Sequence, residues 1–373
     1  GADCAPDDAQ ASGSGYPRRT ASAGTRHLVR VVSGFAFNKL VIFGVGLIGG
    51  SLARALRERA PGEVGEIAGE IVGVGRSSVS VARALALGVI DRAAALDDEA
   101  QLREALAGAD LVLLAAPVAQ TGPLLARIAP WLDDATIVTD AGSTKSDAVA
   151  AARDALGPRI AQFVPGHPIA GRESSGVEAA LPDLYVGRNV VLCPLPENPA
   201  ASVARIDAMW RATGADVRMM SATQHDRVFA SVSHLPHVLS FALVEQILGE
   251  ADAELKFSYA AGGFRDFTRI AASSPEMWRD ICVANRAALL DELDGYTRVL
   301  ARLRAAIDAG DGAALEDVFS RSRAARSAWQ ERGGKAVSGG AAADRQAAAE
   351  PAAERPTPDG RPTDGRPPET NRN

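Results

Sequence analysis

The segment Pro165-Gly-His167-Pro-Ile-Ala-Gly171 frames one imidazole between glycine and proline, directly after the apolar run at 162–164. A loop of that composition holds a side chain at the edge of a sheet rather than in its core. Histidine titrates near neutrality and accepts protons there, so His167 is the candidate general base. A second polar segment, Asp140-Ala-Gly-Ser143-Thr-Lys145, follows another apolar run. The Ser143 hydroxyl stands where it can bond a substrate oxygen or hold the histidine. Helix capping by Ser143 or Thr144 is the structural alternative. A third segment runs from Gln224-His225 to Ser233-His234-Leu-Pro236-His237. His234 and His237 lie three apart with no third ligand at metal-site spacing, so they read as cleft lining and not as a zinc pair. Pro236 lacks an N–H and predicts a helix kink. Last, Arg265, Asp266 and Arg269 sit in the glycine-led stretch that opens at Gly262. Either Asp266 neutralises an arginine internally, or a substrate carboxylate docks there bidentately.

Such groups need a scaffold and a reaction partner. The strand-like run Leu-Val-Ile-Phe43 leads into Gly44-Val-Gly46-Leu47-Ile48-Gly49 and then an amphipathic stretch from Ser51. Strand, glycine turn and helix in that order expose N–H groups at a helix start, where a pyrophosphate binds. A turn without a ligand is the alternative. The second strand, 70–74, ends in Gly75-Arg76-Ser77. An NAD site places a carboxylate there for the ribose 2′-OH. Arg76 and Ser77 suit a 2′-phosphate instead, which favours NADP. Arg76 stacked on adenine leaves NAD usable.

Further apolar runs at 110–117, closed by Pro117, and at 135–140, 162–164 and 189–193 alternate with helical patterns, one of them at 79–87 before Gly88. That alternation predicts an α/β fold with a doubly wound parallel sheet, its ligands beyond the carboxyl ends of the strands. After about residue 220 helical periodicity takes over, at 221–248, 275–306 and 313–330. The expected organisation is a disordered arm at 1–37, a dinucleotide-binding domain at 38–217, a helical substrate and dimerisation domain at 218–331, and a low-complexity tail at 332–373.

Composition narrows the function classes. The 373 residues are 47% hydrophobic, enough for two domain cores, and carry a formal net charge of -6. That balance argues against nucleic-acid and anionic-membrane partners. No apolar run reaches the length of a membrane span, and no secretory signal is evident. Three widely spaced cysteines without a CxxC fit a reduced, cytoplasmic setting.

The motifs Gly44-Val-Gly-Leu-Ile-Gly-Gly-Ser51, Asp140 to Lys145, Gly166-His-Pro-Ile-Ala-Gly171-Arg-Glu173 with Gly176-Val-Glu178, His225 to His237, and Gly262 to Ile281 occur in a single order. In that order they resemble the prephenate/arogenate dehydrogenase family of tyrosine biosynthesis, over residues 39–330. The resemblance implies a Rossmann-type domain followed by an all-helical dimerisation domain, and a homodimer. It implies oxidation of prephenate or arogenate at the ring C4 hydroxyl, with hydride going to NAD or NADP and the ring carboxylate leaving as CO2. His167 would take the hydroxyl proton, and Ser143 would position that histidine and the substrate. Arg269 would bind the side-chain carboxylate, with Arg265 nearby. Ser233, His234 and His237 would line the cleft, His237 also near a feedback-inhibiting tyrosine. Glu173 would gate its mouth. Gly44, Gly46, Leu47, Ile48, Gly49, Arg76, Ser77 and Pro117 would hold the cofactor, and no metal is needed. Arg172 and the Gly75-Arg76 pair depart from the pattern of many members, and neither a chorismate mutase segment nor a regulatory domain is recognisable. A β-hydroxyacid dehydrogenase would need a catalytic lysine in the helical part, where Lys256 lacks a suitable setting. A non-catalytic nucleotide sensor would not need His167 with Arg269.

Overall fold

A computed structural model describes residues 36–58, 69–172 and 174–332. The expected arm and tail fall almost wholly outside the described residues, as does Glu173. Phe37, assigned to the arm, is instead buried in the core. The chain forms two compact units, Gly1–Tyr296 and Thr297–Asn373.

The first unit opens with β1 (Lys39–Phe43), α1 (Leu47–Glu58), β2 (Glu70–Gly75), α2 (Ser78–Ala86), β3 (Arg92–Ala95) and α3 (Glu99–Leu106). It continues through β4 (Leu111–Leu114), α4 (Thr121–Ile128), β5 (Ile137–Asp140), α5 (Ser146–Leu156) and β6 (Phe163–Val164). The six strands form one parallel sheet in the order β3-β2-β1-β4-β5-β6. Leu40 and Ile42 of β1 pack into one core layer with Leu52, Leu56 and Trp210. Val41 and Phe43 pack into the other with Leu114, Leu125 and Phe163. A strand buried on both faces therefore reads as an unbroken apolar run. The strand order reverses between β1 and β4, which opens a crevice at their carboxyl ends.

The later strands depart from the single-sheet expectation. β7 (Gly166–Pro168), β8 (Asn189–Leu192) and β9 (Asp216–Met219), with α6 (Ala200–Ala212) between the last two, make a separate three-stranded sheet. β7 runs antiparallel to β8, and β8 parallel to β9. Two residues of β6 suffice to finish the large sheet. Pro165 then offers no N–H to continue the ladder, and its carbonyl accepts from Cys193 N–H at 2.9 Å. The chain thereby leaves one sheet for the other immediately before His167.

Beyond β9 the unit is helical: α7 (Ala222–Phe229), a π-helical turn (Ala230–His234), α8 (Leu235–Leu248), α9 (Ala253–Ser258), α10 (Gly262–Thr268) and α11 (Pro275–Ala284). α12 (Arg286–Asp308) begins here and α13 (Gly312–Glu331) follows it in the second unit. Helix runs unbroken from Ala222 to Leu248, and the expected kink takes the form of the π turn. Pro236 cannot donate to the preceding turn, so the ladder widens there. An 18-residue window of this 27-residue helix has mean hydropathy 1.3, long and apolar enough to cross a membrane by length and composition alone. That corrects the reading that no stretch reaches that length. The same helix carries His225, Asp226 and His234, all buried against the rest of the unit. Another correction concerns residues 275–306, which form two helices broken at Asn285.

Candidate active site

The glycine turn fits a dinucleotide. Gly44 has φ +93°, and a Cβ there would meet the Ala115 carbonyl oxygen at 2.5 Å. A Cβ on Gly49 would lie 2.3 Å from the Gly44 carbonyl oxygen, so this glycine lets α1 pack closely on β1. At Gly46 nothing lies within 4 Å, which leaves its backbone open to a ligand. Tight turn, open approach and close helix packing are the three glycine roles of a pyrophosphate cradle. Two clefts adjoin it. One, about 470 Å³, is lined by Gly44, Gly46, Gly75, Arg76, Ser77 and Arg83 among others. The second includes Gly46, Arg76, Ala115 and Pro117. Leu47 and Ile48 stand at the start of α1 and pack toward the core, where the Ile48 carbonyl accepts from the Tyr185 hydroxyl at 2.6 Å.

A cavity of about 510 Å³ holds the second group of residues. Ser143, His167, Ile169, Phe229, Ser233, His234, His237 and Trp278 line it. His167 Nδ1 is 2.8 Å from His225 Nε2, and His225 Nδ1 is 2.8 Å from Asp226 Oδ1. Asp226 in turn accepts from the backbone N–H groups of Lys145 and Ser146, each at 2.8 Å. These are the first amides of α5, capped by a carboxylate from α7 and not by Ser143 or Thr144 as the sequence allowed.

The bonds fix the protons. Burial disfavours ionisation of Asp226, but hydrogen bonds from His225, Ser146 and the Lys145 backbone outweigh it and keep the carboxyl below its usual range. A carboxylate only accepts, so His225 carries its proton on Nδ1 and its Nε2 is bare. His167 Nδ1 must then donate, which leaves the Nε2 lone pair of His167 free. Burial, aided by His225, Lys145 and His234, holds the His167 imidazole well below the usual histidine range. The ring is therefore neutral and basic at Nε2 near pH 7.

Its mounting is equally specific. Lys145 and Asp140 form an ion pair with side chains 0% and 1% exposed. Lys145 Nζ donates to the Gly166 carbonyl at 2.8 Å, and Asp140 Oδ1 accepts from Gly166 N–H at 3.0 Å. Asp140 Oδ2 also accepts from Gly142 N–H at 3.0 Å. The residue before the base is thus gripped by both of its main-chain polar groups. Ser143 shares the cavity wall, but among the described residues no hydrogen bond joins it to His167. His225 does the positioning that the resemblance assigned to Ser143.

At the other wall His237 stacks on Trp278, ring centroids 3.5 Å apart and 20° between planes. Its Nδ1 donates to the Ser233 carbonyl at 2.9 Å. Burial lowers the His237 pKa, Ser233 opposes this, and nearby Arg269 lowers it further. Arg265 and Arg269 lie exposed on α10 and the turn after it, and neither is among the described residues lining the cavity. Both arginines sit in an exposed stretch: Asp266 and Phe267 between them are also open to solvent, and α10 buries nothing fully. Sequence reasoning missed Asp140, Lys145, His225, Asp226 and Asn285. The buried Lys-Asp pair was flagged only by an unusual lysine: the chain has just four, and this one follows a strand end.

Fold and site define a nicotinamide-dinucleotide dehydrogenase with a helical substrate wall. Residues 52–219 match the family model described as prephenate dehydrogenase, nucleotide-binding domain, and 221–321 match prephenate dehydrogenase, dimerization domain. A cyclohexadienyl dehydrogenase of Zymomonas mobilis is 38% identical over 78% of this chain and 95% of its own length. A prephenate dehydrogenase of Bacillus subtilis is 35% identical over 76% and 74%. Prephenate dehydrogenase from Aquifex aeolicus, solved in complex with hydroxyphenyl propionate and NAD+, superposes with TM-score 0.72 at 34% identity, over 79% of this chain and 99% of that one. The chain belongs to the prephenate dehydrogenase family.

Proposed function

We propose that this enzyme oxidises prephenate to 4-hydroxyphenylpyruvate with loss of CO2, arogenate being the alternative substrate that would give tyrosine. The observation that carries the reading is the unpaired Nε2 of His167, aimed by the His225–Asp226 relay into a cavity beside the glycine cradle. A bound nicotinamide supplies the hydride acceptor. His167 Nε2 removes the C4 hydroxyl proton as C4 loses hydride, and a carbonyl forms. The bond from the ring to its carboxylate then breaks, CO2 leaves, and the electron pair enters the ring, which becomes aromatic as the C4 carbonyl turns into a phenolate that takes the proton back from His167. His225 and Asp226 keep the imidazole in the accepting tautomer and stabilise it once protonated. Ser143, Ser233 and His234 offer hydrogen bonds to the substrate's oxygens. Arg269, beside His237, is assigned the side-chain carboxylate.

Two cofactors fit the cradle, and the residues at the end of β2 favour NADP. A Cβ on Gly75 would meet Val81 Cγ1 at 2.8 Å, so α2 leaves little room for the acidic side chain of an NAD site. Arg76 and Ser77 line the adjoining cleft and suit a 2′-phosphate. Tyrosine, an aromatic product analogue, is proposed to compete at the His237–Trp278 wall. The helical part from about residue 218 is proposed to form a homodimer; exposed Val228, Leu248 and Tyr259 there suit a second copy. The free thiols Cys193 and Cys282 suit a reducing compartment such as the cytoplasm. Absorbance of the reduced nicotinamide, followed with prephenate or arogenate against NAD or NADP, tests the reading. No turnover in all four combinations would refute it.

A further inference from the structure

We infer that Asn285 is a positioning residue: its side-chain amide fixes the proton of His234 on Nε2, so that the cavity receives a neutral imidazole donor facing the His167 acceptor. The inference rests on the reading that this cavity is the substrate site.

The argument starts from what an amide nitrogen can do. Asn285 Nδ2 lies 2.8 Å from the Asp226 carbonyl oxygen, which only accepts. That contact orients the amide, with nitrogen and not oxygen on this side. The same Nδ2 lies 3.0 Å from His234 Nδ1. An amide nitrogen has no lone pair to offer, so Nδ1 must accept and cannot carry a proton. A neutral His234 therefore holds its hydrogen on Nε2, and the ring lines the cavity.

The surroundings keep that ring neutral. Burial takes the His234 pKa down to about 4, with Asp226 opposing and His225 and His237 reinforcing. The Trp278 ring meets it edge-on at 6.0 Å. Among the described residues, Asp226 is the carboxylate that favours the imidazolium, and burial outweighs it.

Asn285 is itself held rigidly. It ends α11, its N–H donates to Ile281 O at 2.9 Å, and its carbonyl accepts from Leu289 N–H at 3.0 Å at the start of α12. One amide therefore touches the main chain of Asp226, where the base relay ends, and the imidazole that opposes the base. The result is a matched pair, a bare nitrogen at His167 and an N–H at His234. A hydroxyl can donate to the first while an oxygen of the substrate accepts from the second. A cation at position 234 would instead compete with the transferred proton.

The decisive measurement is imidazole ¹⁵N NMR on the full chain near pH 7, with the His234 signal assigned by its loss in His234→Gln. The expected spectrum has Nε2 protonated and Nδ1 bare. In Asn285→Asp the carboxylate accepts from Nδ1, so the proton moves to Nδ1 or the ring becomes imidazolium. The acid limb of kcat/KM then rises, and kcat/KM falls about 10-fold or more near pH 7. Asn285→Ala frees the tautomer without adding charge and gives a mixed spectrum. A native His234 protonated on Nδ1 would overturn the inference, and so would an Asn285→Asp protein with native tautomer and native pH profile. Failure of the native enzyme to turn over either substrate strikes the proposed function instead, because the tautomer is read without substrate.

Discussion

At the scale of single residues, the site is a set of imidazoles whose protons are assigned by neighbours that can only accept or only donate. His167 accepts because His225 and Asp226 leave it no other state. Replacing His167 by Asn should therefore lower kcat by roughly 10²–10⁴ with NAD affinity retained, as stopped-flow and cofactor titration would read. Near-native kcat would remove His167 as base. Asp226→Asn should act through the tautomer, with a kcat loss of about tenfold or more and an acid limb moved from its native position. The native acid limb belongs below the ordinary histidine value, since burial lowers the His167 pKa and activity is lost only as the ring protonates. Stability should follow the same sign. His234 falls from 6.5 unfolded to about 4 folded, so its contribution is present above pH 6.5 and is lost as pH falls toward 4. Urea titrations at about pH 7 and about pH 5 should show the lower value at the acid pH. His167, the glycines and the cleft histidines were legible from sequence because their types are rare and their flanks are patterned. Lys145 and Asp226 were not. Their roles depend on main-chain groups distant in sequence, and residue type and local spacing do not encode that.

At the scale of elements, the strand ends and helix starts bring the pieces together. β5 delivers Asp140, the turn after it delivers Lys145, and α7 supplies the cap of α5. Alternation of apolar runs predicted the large sheet and its helices, and the reversal between β1 and β4 confirms where the crevice lies. β7 carries a histidine and a proline and β9 alternates charged with apolar residues, so neither reads as an apolar run and the second sheet went unforeseen. The helix break at Asn285 was equally silent, because the apolar pattern continues across it. The glycine turn offers a contrast between binding and folding. Gly46→Ala should keep the native Tm yet raise KM for the cofactor, since its Cβ meets open space where the ligand approaches. Gly49→Ala should instead destabilise by about 1–3 kcal/mol, as its Cβ would collide with the Gly44 carbonyl and Ile42. Equal effects of the two changes on Tm would contradict the cradle assignment.

At the scale of the whole molecule, the helices that follow β9 supply one wall of the cavity and carry exposed apolar side chains. The helix from Ala222 to Leu248 presents Phe229, Val232, Ser233, His234 and His237 to the cavity while leaving Val228 and Leu248 exposed outside its lining. Its apolar surplus was visible in the sequence as more hydrophobic face than one small domain needs, but which residues stay open emerges only once the inner face is occupied. Sedimentation at micromolar concentration should give about twice the chain mass, and Leu248→Asp should shift the protein toward monomer. A monomeric native protein would leave those side chains without a partner and refute the dimer. The cofactor question also belongs here, since Arg76 follows β2 and lines the cleft beside the glycine turn, and is not among the described residues lining the cavity at His167. Arg76→Asp should depress kcat/KM with NADP far more than with NAD, and a parallel loss on both would assign Arg76 to stacking instead.

The Gly166 clamp has a consequence for change over time. Asp140 and Lys145 hold peptide groups and make no bond to the imidazole they aim. Whatever residue occupies the next position inherits the same placement. The bracket is thus separable from its tool, and new reactivity in this scaffold is most readily sought by exchanging the side chain at 167 while leaving the bracket alone.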